Sequence, residues 1–338
     1  MNLNPILIAT PLWPPQIGGP AQYAVNLARE FKALGHEVVV AKFSAVGRWP
    51  SGLRHLVYFF KLWRRLRPGD WCLILDASSV AWPAVWAARL RGAKTVLRIG
   101  GDFLWESYVE RTGDLVLLRQ FYQTTLPRWN LKERLIFRLT RATFGRADRI
   151  VFNTDWQRAI WREPYGLAQT KTAIVENYGG DKKESFQPTA KIYLFAARPL
   201  KLKNEANLRR AFALAKQERP EIELEVWHDL PAAPFAAKLD QSYAVIVPSI
   251  SEVSSNLARE ALARGKPLIL TRESGDAARL GVASVLVDPL SITDLKVKIV
   301  QLADAPFYER ERARASAWSA PRSWPAVAAD FLAIFNSR

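Results

Sequence analysis

Two kinds of apolar pattern alternate along the chain. Short unbroken apolar runs read as buried parallel strands, and apolar residues three and four apart read as helices. Ile6-Leu7-Ile8-Ala9 is the first strand signal. A Pro/Gly loop over residues 11–20 follows, and residues 21–34 then place Tyr23, Leu27, Phe31 and Leu34 on one helix face. Gly35 stops that helix, and residues 36–41 give the next strand. Strand, helix, strand in this order predicts a parallel pair with a right-handed crossover. Further strands are predicted over 73–75, 95–99, 149–152 and 172–175, with a helix over 81–90 and mostly helical structure over 107–144.

Residues 181–190 are polar, contain Pro188 and break the pattern, so they read as a linker. A second alternating set follows. Its strands fall over 192–196, 222–227, 244–247, 267–270 and 284–287, with helices over 204–217 and 255–264 and a last one over 324–335. Such runs predict an α/β protein with a doubly wound, Rossmann-like parallel sheet, here built twice. The expected divisions are an N-terminal domain over 1–180, a C-terminal domain over 181–320, and a final helix over 321–338 that packs back on the N-terminal domain. Two such sheets create a cleft where their strand ends face each other, and ligands bind at places of that kind.

Composition narrows the picture. The 338 residues are 49% apolar, enough for real cores. The single cysteine, Cys72, excludes an internal disulfide and a cysteine zinc site, and reads as a buried thiol in a reducing compartment. The start lacks the basic flank and cleavage site of a signal peptide. No apolar run approaches the roughly 20 residues that span a bilayer, so a cytoplasmic location is expected. The net charge is +16, and residues 1–180 hold 25 Lys and Arg against 13 Asp and Glu. A basic surface suits nucleic acid, anionic lipid or a phosphorylated small molecule. No zinc-finger, RNP or helix-turn-helix pattern accompanies the charge, so nucleic acid is not an expected partner.

Four segments carry candidate chemistry. Gly18 and Gly19 sit between the first strand and helix, where backbone can approach an anion at free helix N–H groups. Their spacing is not the Gly-x-Gly-x-x-Gly of a dinucleotide turn, which argues against a nicotinamide-dependent oxidoreductase. Arg198 and Lys203 follow the first strand of the second set, at the sheet edge where two cations suit a departing diphosphate. Glu252 lies in the loop after the strand that ends at Pro248, and Glu260 lies on the helix that follows and closes at Gly265. The backbone N–H groups of Ser254, Ser255 and Asn256 stand at that helix's start. Asp102 follows the strand over 95–99. It reads either as orienting acceptor or sugar hydroxyls, or as a cap on the next helix.

Glu252 and Glu260, with seven residues between them, and the Ala261-Leu262-Ala263-Arg264-Gly265-Lys266-Pro267 that follows resemble the signature of the family 4 retaining glycosyltransferases, which have the GT-B fold. Arg198 and Lys203 have the spacing of that family's diphosphate clamp, and Gly18-Gly19 and residues 175–181 resemble its entry loop and the end of its first domain. The resemblance implies that Glu252 contacts the donor sugar, Glu260 the ribose, and Arg198 with Lys203 the diphosphate of a nucleotide-sugar donor. It makes the N-terminal domain the acceptor side and the C-terminal domain the donor side. Two departures stand out: residues 225–231 lack the family's glycine-rich turn, and Val253-Ser254-Ser255 replaces the common Gly-Phe-Gly.

No Asp-x-Asp, the metal-holding pattern of the other main transferase fold, occurs in the chain. A metal-independent transfer without cofactor is therefore expected, with Glu252, Asp102, Arg198 and Lys203 as its catalytic set. The expected acceptor is a saccharide or lipid-linked saccharide of cell-surface polysaccharide or glycolipid synthesis. Leu53, Leu56, Val57, Phe60 and Trp63 form an apolar stripe among Arg54, Lys61, Arg64, Arg65 and Arg67. Such a helix either lies on an anionic membrane or turns its stripe into the core. A non-hydrolysing nucleotide-sugar epimerase of the same fold and a non-enzymatic basic nucleic-acid binder stand as alternative readings.

Overall fold

A computed structural model of the protein describes residues 4–16, 19–50, 52–228, 232–319 and 322–337. Contacts divide the chain into two compact units. Met1–Trp105, Thr125–Tyr178 and Arg322–Arg338 form the first, and Glu106–Thr124 with Gly179–Pro321 form the second.

The chain opens with β1 (Ile6–Thr10), α1 (Gly19–Ala33), β2 (Val38–Lys42), α2 (Leu53–Trp63), β3 (Trp71–Ile74), α3 (Ala81–Arg91) and β4 (Lys94–Arg98). Next come α4 (Phe103–Thr112), α5 (Leu118–Thr124), α6 (Leu131–Arg146), β5 (Arg149–Phe152), α7 (Asp155–Tyr165) and β6 (Thr172–Ile174). The six strands form one sheet in the order β2-β1-β3-β4-β5-β6, and every pair is parallel. Helices cover such a sheet on both faces, so interior strands must be apolar throughout. Accordingly β1 and β3 are buried at every position. Cys72, within β3, is fully buried, and burial pushes its thiol up to about 12.

Tyr23, Leu27 and Phe31 of α1 face the core as their spacing predicts, but Leu34 is exposed because α1 ends one residue before it. The helical stretch over 107–144 resolves into three helices. Gly113, at φ 75°, interrupts it after α4, and Pro127 lies in the turn before α6. Asn130 and Glu133 then start α6 with a reciprocal capping box.

The second unit contains β7 (Lys191–Ala196), α8 (Glu205–Glu218), β8 (Ile222–Trp227), α9 (Ala232–Gln241), β9 (Ala244–Val247), α10 (Asn256–Ala263), β10 (Leu268–Thr271), α11 (Ala277–Leu280), β11 (Val285–Val287), α12 (Ile292–Ala303) and α13 (Ala305–Ala317). Its five strands are also all parallel, in the order β11-β10-β9-β7-β8. One face carries a core around Tyr193, Phe195, Phe212 and Ile299. The other carries Leu194, Val245, Leu262 and Leu270. The alternation along β7 assigns consecutive residues to opposite cores.

The last helix, α14 (Trp324–Asn336), belongs to the first unit. Val327, Ala328, Phe331 and Phe335 are buried there, and Phe335 stacks on Trp71 with ring centroids 4.7 Å apart. The Lys94 ammonium donates to the carbonyls of Phe335 and Ser337 at 2.5 and 2.7 Å, a cation at a helix C-terminus where the dipole favours it. Among the described residues no helix is long and apolar enough to cross a membrane.

Candidate functional site

The strand order of the second unit explains its site. β7 and β9 are neighbours, but the chain visits β8, on the far side of β7, between them. Connections leaving neighbouring strands toward opposite sides of a sheet open a crevice at their carboxyl ends. The loops that flank this point are residues 197–203 after β7 and 248–255 after β9. They hold Arg198, Lys203 and Glu252.

Across that crevice the Lys203 ammonium donates to Glu252 Oε2 at 2.7 Å. Both side chains are partly exposed, at 20% and 15%. They are neither free surface charges nor sealed in a core. Ser249 Oγ donates to the same carboxylate oxygen at 3.0 Å. Arg198 is exposed at the end of β7. The two loops are also joined through backbone, with Ile250 N donating to Leu202 O at 2.9 Å. Asn204 adopts a left-handed conformation at φ 66°, and its amide donates to the carbonyls of Pro248 and Pro289 at 3.0 and 2.7 Å. Asparagine visits this region more readily than most residues. Here it ties the Lys203 turn to the end of β9.

A third loop, after β10, fixes Glu252 from behind. Glu252 N donates to Glu273 O and Gly275 N donates to Glu252 O, both at 2.9 Å. Glu273 is itself buried, and burial raises its carboxyl above the usual carboxylate range while the Arg119 guanidinium, 2.8 Å away, pulls it down. Arg119 lies on α5, far earlier in the sequence. The same excursion supplies Leu118 N to Ser251 Oγ at 3.0 Å and the Glu110 carbonyl to Lys201 Nζ at 2.8 Å. Replacing Arg119 by alanine should therefore loosen the Glu252 loop. A cost of about 1–2 kcal/mol is expected, discounted because Arg119 is half exposed. The deficit should shrink as pH falls, because a protonated Glu273 needs no cation. Denaturant melts of both proteins at neutral and mildly acidic pH check this.

Ser254, Ser255 and Asn256 form the start of α10. Ser255 is its N-cap and accepts from Ala258 N at 3.2 Å. The first amides of the helix have no intrahelical acceptor. The side chains beside them serve a buried network. Arg259 donates to Asp276 at 2.7 Å, to Ser254 Oγ at 2.6 Å and to Asn256 Oδ1 at 2.6 Å. Asp276 is fully buried and also accepts from Ser254 Oγ at 2.8 Å and from Arg279 at 2.6 Å.

Glu260 lies one residue beyond Arg259. Its side chain stays 45% exposed, yet partial burial raises its carboxyl above the usual range. The Gly265-Lys266 pair after α10 is structural. Gly265 has φ 64°, which favours glycine, and an added Cβ would meet Ser316 Oγ at 2.6 Å. The buried Lys266 ammonium donates to the carbonyls of Phe186, Asp240 and Ser242, and burial lowers its pKa to about 8.

In the first unit, Asp102 is buried, and its Oδ1 accepts from Trp105 N at 3.0 Å, which caps α4. Gly19 is the first residue of α1, and Gly18 lies outside the described residues. In the segment that lacks the glycine-rich turn, His228 Nδ1 lies 2.7 Å from Ala197 O, and residues 229–231 lie outside the described structure. Ser249, Asn204, Glu273, Asp276 and Arg259 were not foreseen as site residues. Arg259 adjoins Glu260 and Asn204 adjoins Lys203, which were the signals available for those two.

Residues 17–178 match the family described as Glycosyltransferase Family 4. Over those residues the chain resembles a glycosyltransferase family 4-type domain. Solved GT-B structures match nearly its whole length. Anabaena HepE in complex with UDP superposes with a TM-score of 0.69 at 14% identity, covering 99% of this chain and 100% of that one. Sucrose-phosphate synthase from Thermosynechococcus elongatus gives 0.69 at 14%, covering 98% of each. Trehalose 6-phosphate synthase from Burkholderia multivorans gives 0.68 at 13%, covering 98% and 96%. At these identities the likeness establishes the GT-B fold, with its two parallel-sheet α/β domains. No curated protein matches the chain in sequence at a significant level.

Proposed function

We propose that this protein is a retaining, metal-independent glycosyltransferase that needs no cofactor. It moves a hexose from a nucleotide diphosphate sugar to a saccharide or lipid-linked acceptor, in cell-surface polysaccharide or glycolipid synthesis on the cytoplasmic side of the membrane. The observation that carries this reading is the Lys203–Glu252 pair at the switch point of the second sheet. A carboxylate and an ammonium in one crevice match the two charges of the reaction. The sugar ring becomes positive as the diphosphate leaves, and the diphosphate gains negative charge.

In this reading Lys203 and Arg198 hold the diphosphate, assisted by amides at the start of α10, and Glu252 supports the sugar cation. The C–O bond between anomeric carbon and diphosphate breaks, and the acceptor oxygen bonds to that carbon on the same face and passes its proton to the departing diphosphate. Glu260 receives the ribose hydroxyls. Asp102, which caps α4, has in this reading the further role of helping to orient the acceptor or sugar hydroxyls. Complexes of the structurally similar HepE with UDP and UDP-glucose support a nucleotide-sugar donor.

A panel of nucleotide sugars tests the reading. The true donor should raise stability by about 2.7 kcal/mol at a hundredfold excess over its Kd, read as a thermal shift. Turnover should persist in excess EDTA, and proton NMR of the product should give the anomeric configuration of the donor. A stabilising donor whose product is inverted, or whose transfer EDTA abolishes, contradicts the mechanism. Stabilisation by no nucleotide sugar contradicts the function.

A further inference from the structure

The apolar stripe of α2 faces outward. Leu53, Leu56, Phe60 and Trp63 are all exposed, Phe60 at 55%, while Tyr58 and Leu62 make the buried face. This excludes the reading in which the stripe packs into the core. A second stripe lies on α6, where Leu131, Leu135 and Leu139 recur every fourth residue and are exposed at 86%, 57% and 44%. α2 and α6 both pack against α3. A groove of about 540 Å³ lies between them, with Leu56, Trp82, Ile136 and Leu139 as apolar walls and Arg54 and Lys132 among its polar lining.

The charge around this face has one sign. Residues 53–67 carry five Lys and Arg and no acid, and α6 carries five with one acid. That acid, Glu133, is buried in the capping box. Among the described residues the Arg54 Nε is buried without a hydrogen-bond partner. Exposed leucine, phenylalanine and tryptophan flanked by uncompensated cations suit the interface of an anionic bilayer. An exposed apolar patch of this kind marks an interaction surface.

We propose that the α2–α6 face docks on an anionic phospholipid bilayer, with one acyl chain entering the groove and its phosphate meeting Arg54 and Lys132. This surface goes beyond the transferase reading and does not depend on it, since binding is measured without donor or acceptor.

Vesicles of equal parts phosphatidylcholine and phosphatidylglycerol should float the purified protein, and phosphatidylcholine alone should bind it at least about tenfold less. Phe60→Ser with Leu135→Ser should weaken binding to the anionic vesicles by about tenfold. Leu214→Ser with Leu290→Ser, comparably exposed on the second unit, should leave it unchanged. Phosphatidylglycerol brominated along one chain should quench tryptophan fluorescence of the unaltered protein, because Trp63 lies on the stripe and Trp82 in the groove. Equal binding to both vesicle types, full binding by the Phe60/Leu135 variant, or absent quenching would overturn the proposal. So would a concentration-dependent dimer in sedimentation that this variant abolishes, which would assign the face to a second copy.

Discussion

Replacing Lys203 by alanine should lower kcat/KM for sugar transfer by about 10²–10³-fold, equivalent to about 2.7–4 kcal/mol of transition-state stabilisation. The lysine stands 2.7 Å from Glu252 in a crevice that partly excludes water. Its charge there is worth more to a departing diphosphate than it would be in solvent. Most of the loss should fall on kcat, because negative charge grows on the leaving group only as the bond breaks. The acceptor KM should change little. Arg198→Ala should cost less alone, since that side chain is exposed, and the double variant should lose measurable turnover. Steady-state kinetics with the donor found by thermal shift provides the measurement, with far-UV circular dichroism to show that each variant is folded. Turnover unchanged in the double variant would remove the diphosphate clamp.

Asp276→Ala should destabilise the protein by about 3–5 kcal/mol. Its carboxylate is fully buried and accepts from Arg259, Arg279 and Ser254. Arg259 is equally enclosed, at 4% exposure, so deleting the acid removes a buried, hydrogen-bonded counter-charge from its guanidinium. Asp276→Asn keeps an acceptor but removes the charge, and should fall between the two. Urea unfolding at neutral pH gives the comparison, and a loss below about 1 kcal/mol would contradict the pairing. The variants should also lose activity, because residues 273–275 hold the Glu252 backbone.

Most strand candidates were legible as short apolar runs, which burial on both faces requires, while the edge strand β8 alternates apolar residues with Glu223 and Glu225. Ile222–Trp227 and Ala244–Val247 were read without error at either end. Elements with weaker contrast were not. α7 contains Pro164 near its end, and its buried residues, Gln157 among them, do not make an apolar stripe. The α2 stripe was visible, but its direction was not, since an apolar face looks the same in sequence whether it meets a core or a membrane. Tyr58 and Leu62 turned out to be the side that packs, leaving Phe60 and Trp63 outside.

At the site, the local signals were the glutamates, the basic turn and Gly265, each recognisable from its neighbours along the chain. Helix periodicity, cap residues and a glycine with positive φ depend on a few adjacent residues, so one sequence suffices to place them. The meeting of Lys203 with Glu252 has a different origin. Forty-eight residues separate them, and they touch because β7 and β9 are adjacent while β8 lies outside. The same holds for Arg119 and Glu273, and for Arg259 and Asp276. Strand order and loop docking set those pairs. The free energy that selects them comes from burial summed over whole cores, and a local stretch of residues carries no record of it.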